Sequence, residues 1–241
     1  MTLSPRQITP AERRFVLFVD RIIVFITKRW LLLVILALLV FDGLPFLAPV
    51  LMHVGLAGLA DVIYRAYSLT CHQLAYRTFF LFGQQPAYTI EQLQNALRVT
   101  NPAGDEFYWR DFLGNSQLGF KMAWCERDAA IYTTLLIGSL LFGLVRTRLK
   151  PLNWRVYLLF LVPMAVDGLW QLFTSPLDIL PFLPTHESDA LLRGVTGALF
   201  GIGSVWLVYP YLEEAMRDAC AEAEWQYQSG KAHQATLSQG K

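Results

Sequence analysis

Residues 30–53 read WLLLVILALLVFDGLPFLAPVLMH, a stretch in which Asp42 is the only aspartate, glutamate, lysine or arginine. A helix of about 20 apolar residues is long enough to cross the hydrocarbon core of a bilayer, which is roughly 30 Å thick. Gly43 and the prolines Pro45 and Pro49 fall in the second half of the stretch, and they predict a kink or a break there. The stretch therefore predicts a bilayer-spanning helix with an irregular second half.

Three further apolar stretches follow along the chain, at residues 129–145, 155–173 and 190–212. The whole chain is 54% apolar and 16% charged. Soluble domains are typically about 45–50% apolar and about 25% charged. In the last stretch, Gly197 and Gly201 have the GxxxG spacing that lets a neighbouring helix approach closely. We therefore expect an all-α integral membrane protein, a bundle of about four transmembrane helices.

The segments at the two ends of the chain are polar. Residues 1–29 predict an amphipathic helix, because residues 9–12 (TPAE) have the pattern of a capping box with an early proline. Its cationic face is typical of a helix that lies on an anionic leaflet, and packing on the protein itself is the alternative. Residues 213–241 form a polar tail. The net charge is +1 and no block of lysine and arginine is dense, so nucleic acid is not an expected partner.

The distribution of lysine and arginine predicts the orientation of the spans. Residues 1–29 carry six of these side chains and residues 146–155 carry four, whereas residues 174–189 carry none. The positive-inside rule then places both termini in the cytoplasm and residues 54–124 and 174–189 outside. We expect a multi-pass protein of the cell membrane, with the lipid bilayer as its partner and other membrane subunits as candidate partners.

The cap, as we call residues 54–128, separates the first span from the second. Residues 57–82 within it are helical in pattern but carry three charged side chains and a histidine, too many for a lipid-facing span. We interpret this segment as an interfacial or re-entrant helix. A short helix is expected to start at Thr89, because Gln92 completes a capping box.

In this topology, most of the unusual polar residues fall at one level of the extracytoplasmic face. Ionisable groups at membrane depth are costly and usually face a cavity or one another, so their convergence predicts a site. The set comprises Cys71, His72, Gln73, Arg77, Cys125, Arg127, Asp128, Asp167, Gln171, Glu187 and Arg193. Asp167 and Arg193 are expected to form an ion pair. A purely structural role for these charges is the alternative.

Three motifs stand out within this set: Cys71-His72-Gln73, Cys125-Glu126-Arg127-Asp128, and Asp167-Gly168 followed by Gln171. Together they resemble the domain of unknown function 2085 family of predicted prokaryotic membrane proteins. The resemblance covers roughly residues 30–212. It supports the membrane assignment and implies no activity.

The resemblance also suggests a metal site. Many relatives read Cys-x-Arg-Cys where this chain ends the motif with Asp128, so they would present three thiols and an imidazole, the ligand types of a zinc or iron site. Aspartate can replace cysteine as a metal ligand but cannot replace it in a disulfide. We therefore expect Cys71, His72, Cys125 and Asp128 to bind zinc, iron or a small cofactor. Adjacent side chains on a regular helix diverge by about 100°, so Cys71 and His72 can share an ion only where the helix breaks.

Two other functions stay open. The chain could be a membrane thiol-disulfide or quinone-linked oxidoreductase, in which Cys71 and Cys125 would form a single redox pair, since the sequence has no Cys-x-x-Cys. It could also be a structural accessory subunit of a membrane complex. The metal and redox hypotheses both require the two sulfur atoms to be close together.

Overall fold

A computed structural model of the chain describes residues 9–99, 106–174, 184 and 187–239. Seven α-helices, three short strands and one 3-10 helix occur in these ranges. In chain order they are α1 (Pro10–His53), α2 (Ala57–Tyr67), the 3-10 helix (Ala75–Arg77), β1 (Phe80–Leu81), α3 (Ile90–Leu97), α4 (Glu106–Asp111), β2 (Gly114–Asn115), β3 (Gly119–Lys121), α5 (Glu126–Val145), α6 (Trp154–Thr174) and α7 (Ala190–Gln239). Most of the predicted loop 174–189 lies outside the described ranges.

Four of the helices, α1, α5, α6 and α7, are long and apolar enough to cross a membrane. Large apolar side chains on them, such as Leu144 and Leu159, are exposed on the surface of the protein. An exposed apolar surface of this kind suits lipid rather than water. The expected all-α membrane protein with about four spanning helices is therefore confirmed.

Helix α1 is continuous from Pro10 to His53, so, of the kink or break predicted in its second half, the break does not occur. A proline lacks an N–H, and the carbonyl four residues before it loses its helical hydrogen bond. Pro45 and Pro49 release the carbonyls of Phe41 and Pro45 in this way. The Tyr67 hydroxyl donates to the Phe41 carbonyl over 2.7 Å, and the Ala123 N–H donates to the Pro45 carbonyl over 3.3 Å. Groups of the cap thus replace the missing bonds and fix the cap to α1.

The cap also differs from its prediction. The helix expected over residues 57–82 ends at Tyr67, and the chain then forms a turn, the 3-10 helix and β1. The three strands form an antiparallel sheet in the order β1-β3-β2, which the sequence analysis did not predict. The capping box predicted at Thr89 is present, with its hydroxyl accepting from the Gln92 N–H over 3.3 Å. The cap ends at Cys125, where α5 begins.

Helices α5 and α7 approach each other closely, as the GxxxG spacing predicts. A Cβ atom on Gly201 would lie 2.1 Å from the Thr134 hydroxyl oxygen, and one on Gly197 would lie 2.7 Å from the Arg127 carbonyl oxygen. Neither distance leaves room for a side chain. This contact brings the first turn of α5 against the first turn of α7, where the polar residues gather.

At the other end of the bundle, α1 and α7 continue past α5 and α6. They have 44 and 50 residues, against 20 and 21 in the two shorter helices. The Trp30 indole N–H donates to Glu213 over 2.9 Å, and Lys28 forms an ion pair with Glu224. The amphipathic segment is therefore the first part of α1, and one side of it packs on α7.

Candidate metal centre

The turn after α2 holds the first cysteine motif. Gln73 has a φ of 54°, a left-handed conformation that ends any helix there. Its side-chain amide donates to the Tyr64 carbonyl over 2.9 Å, and the buried Lys121 ammonium donates to its backbone carbonyl over 2.7 Å. The predicted helical position of Cys71, His72 and Gln73 is therefore wrong. Since these residues are not helical, the predicted divergence of the Cys71 and His72 side chains does not apply.

The second cysteine motif forms the start of α5. Cys125 is the N-cap residue, and its Sγ accepts a hydrogen bond from the Asp128 N–H over 3.4 Å. The Cys125 N–H in turn donates to the Sγ of Cys71 over 3.3 Å. Both sulfur atoms therefore lie at the positive end of the α5 dipole, where negative charge is stabilised.

The two motifs converge on one point. The sulfur atoms of Cys71 and Cys125 and a carboxylate oxygen of Asp128 all lie within 4.8 Å of one another. Cys71 is buried, whereas Cys125 and Asp128 are half-buried. Cys125 and Asp128 also contact each other directly, with 3.1 Å between Sγ and Oδ2. His72 is exposed and is not part of this cluster.

The cysteines are free thiols in this structure. A side-chain interaction with the Cys71 thiol raises the pKa of the Cys125 thiol well above its ordinary value, and burial adds to the effect. A thiol held in this way is not a reactive thiolate at neutral pH, because the thiolate is the nucleophilic form.

A network of ion pairs surrounds the cluster. Arg193 contacts Glu126 over 3.0 Å and also pairs with Glu187. Arg77 donates two hydrogen bonds to Glu187, over 2.7 and 2.8 Å, and Gln171 donates a third over 2.9 Å. Burial alone would raise the pKa of Glu187, but Arg77 and Arg193 hold it below its ordinary value. The network ties the cap to the first turns of α5 and α7.

A second pair lies beside this network. Arg127 forms an ion pair with Asp167, and the Ser188 hydroxyl donates to the other Asp167 oxygen over 2.6 Å. The ion pair predicted between Asp167 and Arg193 is therefore wrong, since each residue pairs with a different partner. Sequence spacing gave no indication that Glu126, inside the Cys-Glu-Arg-Asp motif, would form an ion pair with Arg193.

A cavity of about 240 Å³ opens beside the cluster. Eight of the eleven predicted site residues line it: Cys71, His72, Arg77, Cys125, Arg127, Asp128, Gln171 and Arg193. The other three lie behind the lining, where Gln73 fixes the turn and Asp167 and Glu187 pair with its arginines. The structure thus brings all eleven residues to one region.

Two buried residues beside this region, and one deeper in α1, were not predicted from the sequence as site residues. Glu126 is 2% exposed and pairs with Arg193. Lys121 is fully buried under the Cys71 turn, and Asp42 is buried in α1. Of these three residues, Asp42 could have been identified from the sequence, because a charged residue inside an apolar spanning stretch is a candidate functional residue.

Together, the fold and the apolar helices define a multi-pass membrane protein. Residues 116–207 match a family described as predicted membrane protein, DUF2085, which confirms the resemblance over this segment. Uncharacterized protein MJ1492 of Methanocaldococcus jannaschii is 27% identical over 194 residues, covering 78% of this chain and 95% of that protein. No solved structure matches the chain. Cys71 and His72 lie outside the family segment, so the cysteine cluster joins a matched and an unmatched part of the chain.

Proposed function

We propose that this membrane protein binds one zinc or iron ion through Cys71, Cys125 and Asp128. The convergence of these three ligand atoms, within 4.8 Å of one another, is the observation that carries the proposal. In a tetrahedral site with sulfur about 2.3 Å from the metal, ligand atoms are about 3.7 Å apart. Small side-chain rotations would therefore complete the site without movement of the backbone.

The charges of the cluster also suit a cation. Two sulfur atoms and a carboxylate face one another without a lysine or arginine paired to any of them in the described ranges. Deprotonated, these three groups would repel one another, and a divalent ion bound between them would remove that repulsion. Two thiolates and a carboxylate are ligands that zinc and iron accept.

Three protein ligands would leave a fourth position toward the cavity. His72 lines that cavity and is a candidate for the fourth ligand, with water as the other candidate. A metal held in this way would join the Cys71 turn to the start of α5. An open position would also let it act as a Lewis acid on a molecule in the cavity.

The proximity of the two sulfur atoms also suits the thiol-disulfide alternative. The two functions differ in their need for Asp128, which would bind a metal but take no part in a disulfide. The accessory-subunit alternative requires neither a bound metal nor a disulfide.

Metal analysis of the protein purified in detergent tests the proposal. We expect about one zinc or iron ion per chain in the wild type and a loss of more than tenfold in Cys71→Ser and Cys125→Ser. Asp128→Asn should also lose metal, because the amide is a weaker ligand. Cys220→Ser is the matched control, since Cys220 lies in the part of α7 that continues past α5, and it should keep the wild-type content.

A protein that contains no metal after purification with added zinc or iron would contradict the proposal. A disulfide between Cys71 and Cys125 that forms equally well in Asp128→Asn would favour the thiol-disulfide function instead.

We further propose that the candidate metal centre faces the outside of the cell membrane and that both termini are cytoplasmic, as the positive-inside rule predicts. In a chain without native cysteines, a membrane-impermeant maleimide applied to intact cells should label Gln84→Cys in the cap. It should label Arg148→Cys, between α5 and α6, only after the membrane is opened. Both positions are exposed, so access to the reagent depends on the side of the membrane. The reverse labelling pattern would contradict this orientation.

A further inference from the structure

Asp42 is a buried carboxyl group that the proposed metal centre does not use. It lies in α1, eleven residues before the end of the helix at His53, or about 16 Å along the axis. Its exposed fraction is 4%. A position so far from the end of an apolar spanning helix is within the hydrocarbon region of the bilayer.

The hydrogen bonding of Asp42 is incomplete. Its Oδ2 accepts from the Thr133 hydroxyl of α5 over 3.0 Å, and its Oδ1 is buried with no hydrogen-bond partner among the residues that the structure describes. The titratable group that faces it from α2 is Tyr67. No lysine or arginine in the described part of the chain forms an ion pair with it, whereas buried Glu126, Asp167 and Glu213 each pair with an arginine.

A carboxylate in this position would be very costly. An ionised group moved out of water needs an opposite charge or several donors, and one neutral hydroxyl does not replace them. A protonated carboxylic acid costs much less, because it carries no charge and its carbonyl oxygen can accept the Thr133 hydrogen bond.

A second buried polar atom lies close to Tyr67, the residue of α2 that faces Asp42. Within the described ranges, the indole Nε1 of Trp124 also has no hydrogen-bond partner, and the Trp124 ring contacts the ring of Tyr67. Trp124 belongs to the buried apolar cluster that contains Cys71, and Phe41 packs against that cluster. Unmet polar atoms in such a cluster are the groups to which buried water molecules bind.

We propose that Asp42 is a proton-binding site within the membrane, which carries a proton at neutral pH and exchanges it with water that enters beside Trp124. In this exchange Asp42 gives its proton to water as it takes a different proton from water. One O–H bond breaks and one forms on each partner, so the net charge of Asp42 and of the water does not change. The proposal does not depend on a metal at Cys71 and Cys125.

Infrared spectroscopy of the full-length protein in detergent tests this proposal. The wild type minus Asp42→Asn difference spectrum should contain the C=O stretching band of a protonated carboxylic acid at neutral pH. The band should shift to lower frequency after transfer to D₂O, because the proton exchanges. Asp61→Asn is the control, since Asp61 pairs with Arg65 at the surface, and its difference spectrum should contain no such band.

The absence of the band would overturn the proposal, as would a band that does not shift in D₂O, since a sealed proton cannot exchange. Thr133→Val gives a second test that keeps Asp42 in place. This variant removes the hydroxyl that donates to Asp42, so the acid band of Thr133→Val should lie at a higher frequency than that of the wild type. An acid band at the wild-type frequency would contradict the proposed setting of the protonated Asp42.

Discussion

Replacing Arg193 with methionine is expected to lower the free energy of unfolding by about 3–5 kcal/mol. Arg193 is 3% exposed, and its partner Glu126 is 2% exposed. Loss of the guanidinium leaves the Glu126 carboxylate buried without an opposite charge, and that stranded charge is the main cost. Glu187 keeps Arg77 and Gln171 as partners, so it should contribute little to the loss.

The double variant Arg193→Met with Glu126→Gln separates this cause from a loss of packing. Removal of both charges should restore most of the stability, because no unpaired buried charge remains. Arg65→Met is a matched control at the exposed pair Arg65–Asp61, where we expect a loss of about 0–1 kcal/mol. Denaturant unfolding, with all three variants in the same detergent, measures the free energy of unfolding of each. A double variant no more stable than Arg193→Met would contradict the ion-pair explanation.

Replacing Lys121 with methionine is expected to lower the free energy of unfolding by about 2–3 kcal/mol. The Lys121 Nζ donates to the carbonyl of Gln73 over 2.7 Å, and to those of Trp109 and Arg110 over 3.5 and 2.5 Å. Methionine has a similar shape but no donor, so these buried carbonyls would lose their hydrogen bonds. Lys150→Met, at an exposed lysine, is the control and should change stability little.

Lys121 should also make the stability of the protein depend on pH. Burial lowers the pKa of Lys121 to about 7, from its ordinary value of 10.5. Between these two values the unfolded chain binds the proton that the folded protein has released, so wild-type stability should rise as the pH increases from 7 toward 10.5. Lys121→Met should lack this rise, and an equal rise in the variant would assign it to another group.

The spanning helices were predictable because hydrophobicity is a local property of the sequence. A run such as residues 30–53 is apolar enough to identify a span without knowledge of its neighbours. The continuity of α1 was not predictable, because the groups that replace its missing hydrogen bonds, Tyr67 and Ala123, come from distant segments of the chain.

No local feature of the sequence predicts the turn at Cys71. Gln73 takes the left-handed conformation that glycine usually occupies, and its side chain and Lys121 hold it there. A sequence pattern shows which residues are charged, but the choice of partner for Arg193 depends on how the helices pack. For this reason the gathering of the polar residues could be predicted, whereas the pairing of Asp167 with Arg127 could not.

X-ray absorption spectroscopy of the protein loaded with zinc tests the central claim most directly. A site formed by Cys71, Cys125 and Asp128 predicts two sulfur ligands at about 2.3 Å and oxygen or nitrogen ligands at about 2.0–2.2 Å. Cys71→Ser and Cys125→Ser should each lose one sulfur from the spectrum or release the metal, and Cys220→Ser should leave the spectrum unchanged. A zinc ion with no sulfur ligand, or a spectrum that Cys71→Ser and Cys125→Ser do not alter, would contradict the proposed metal centre.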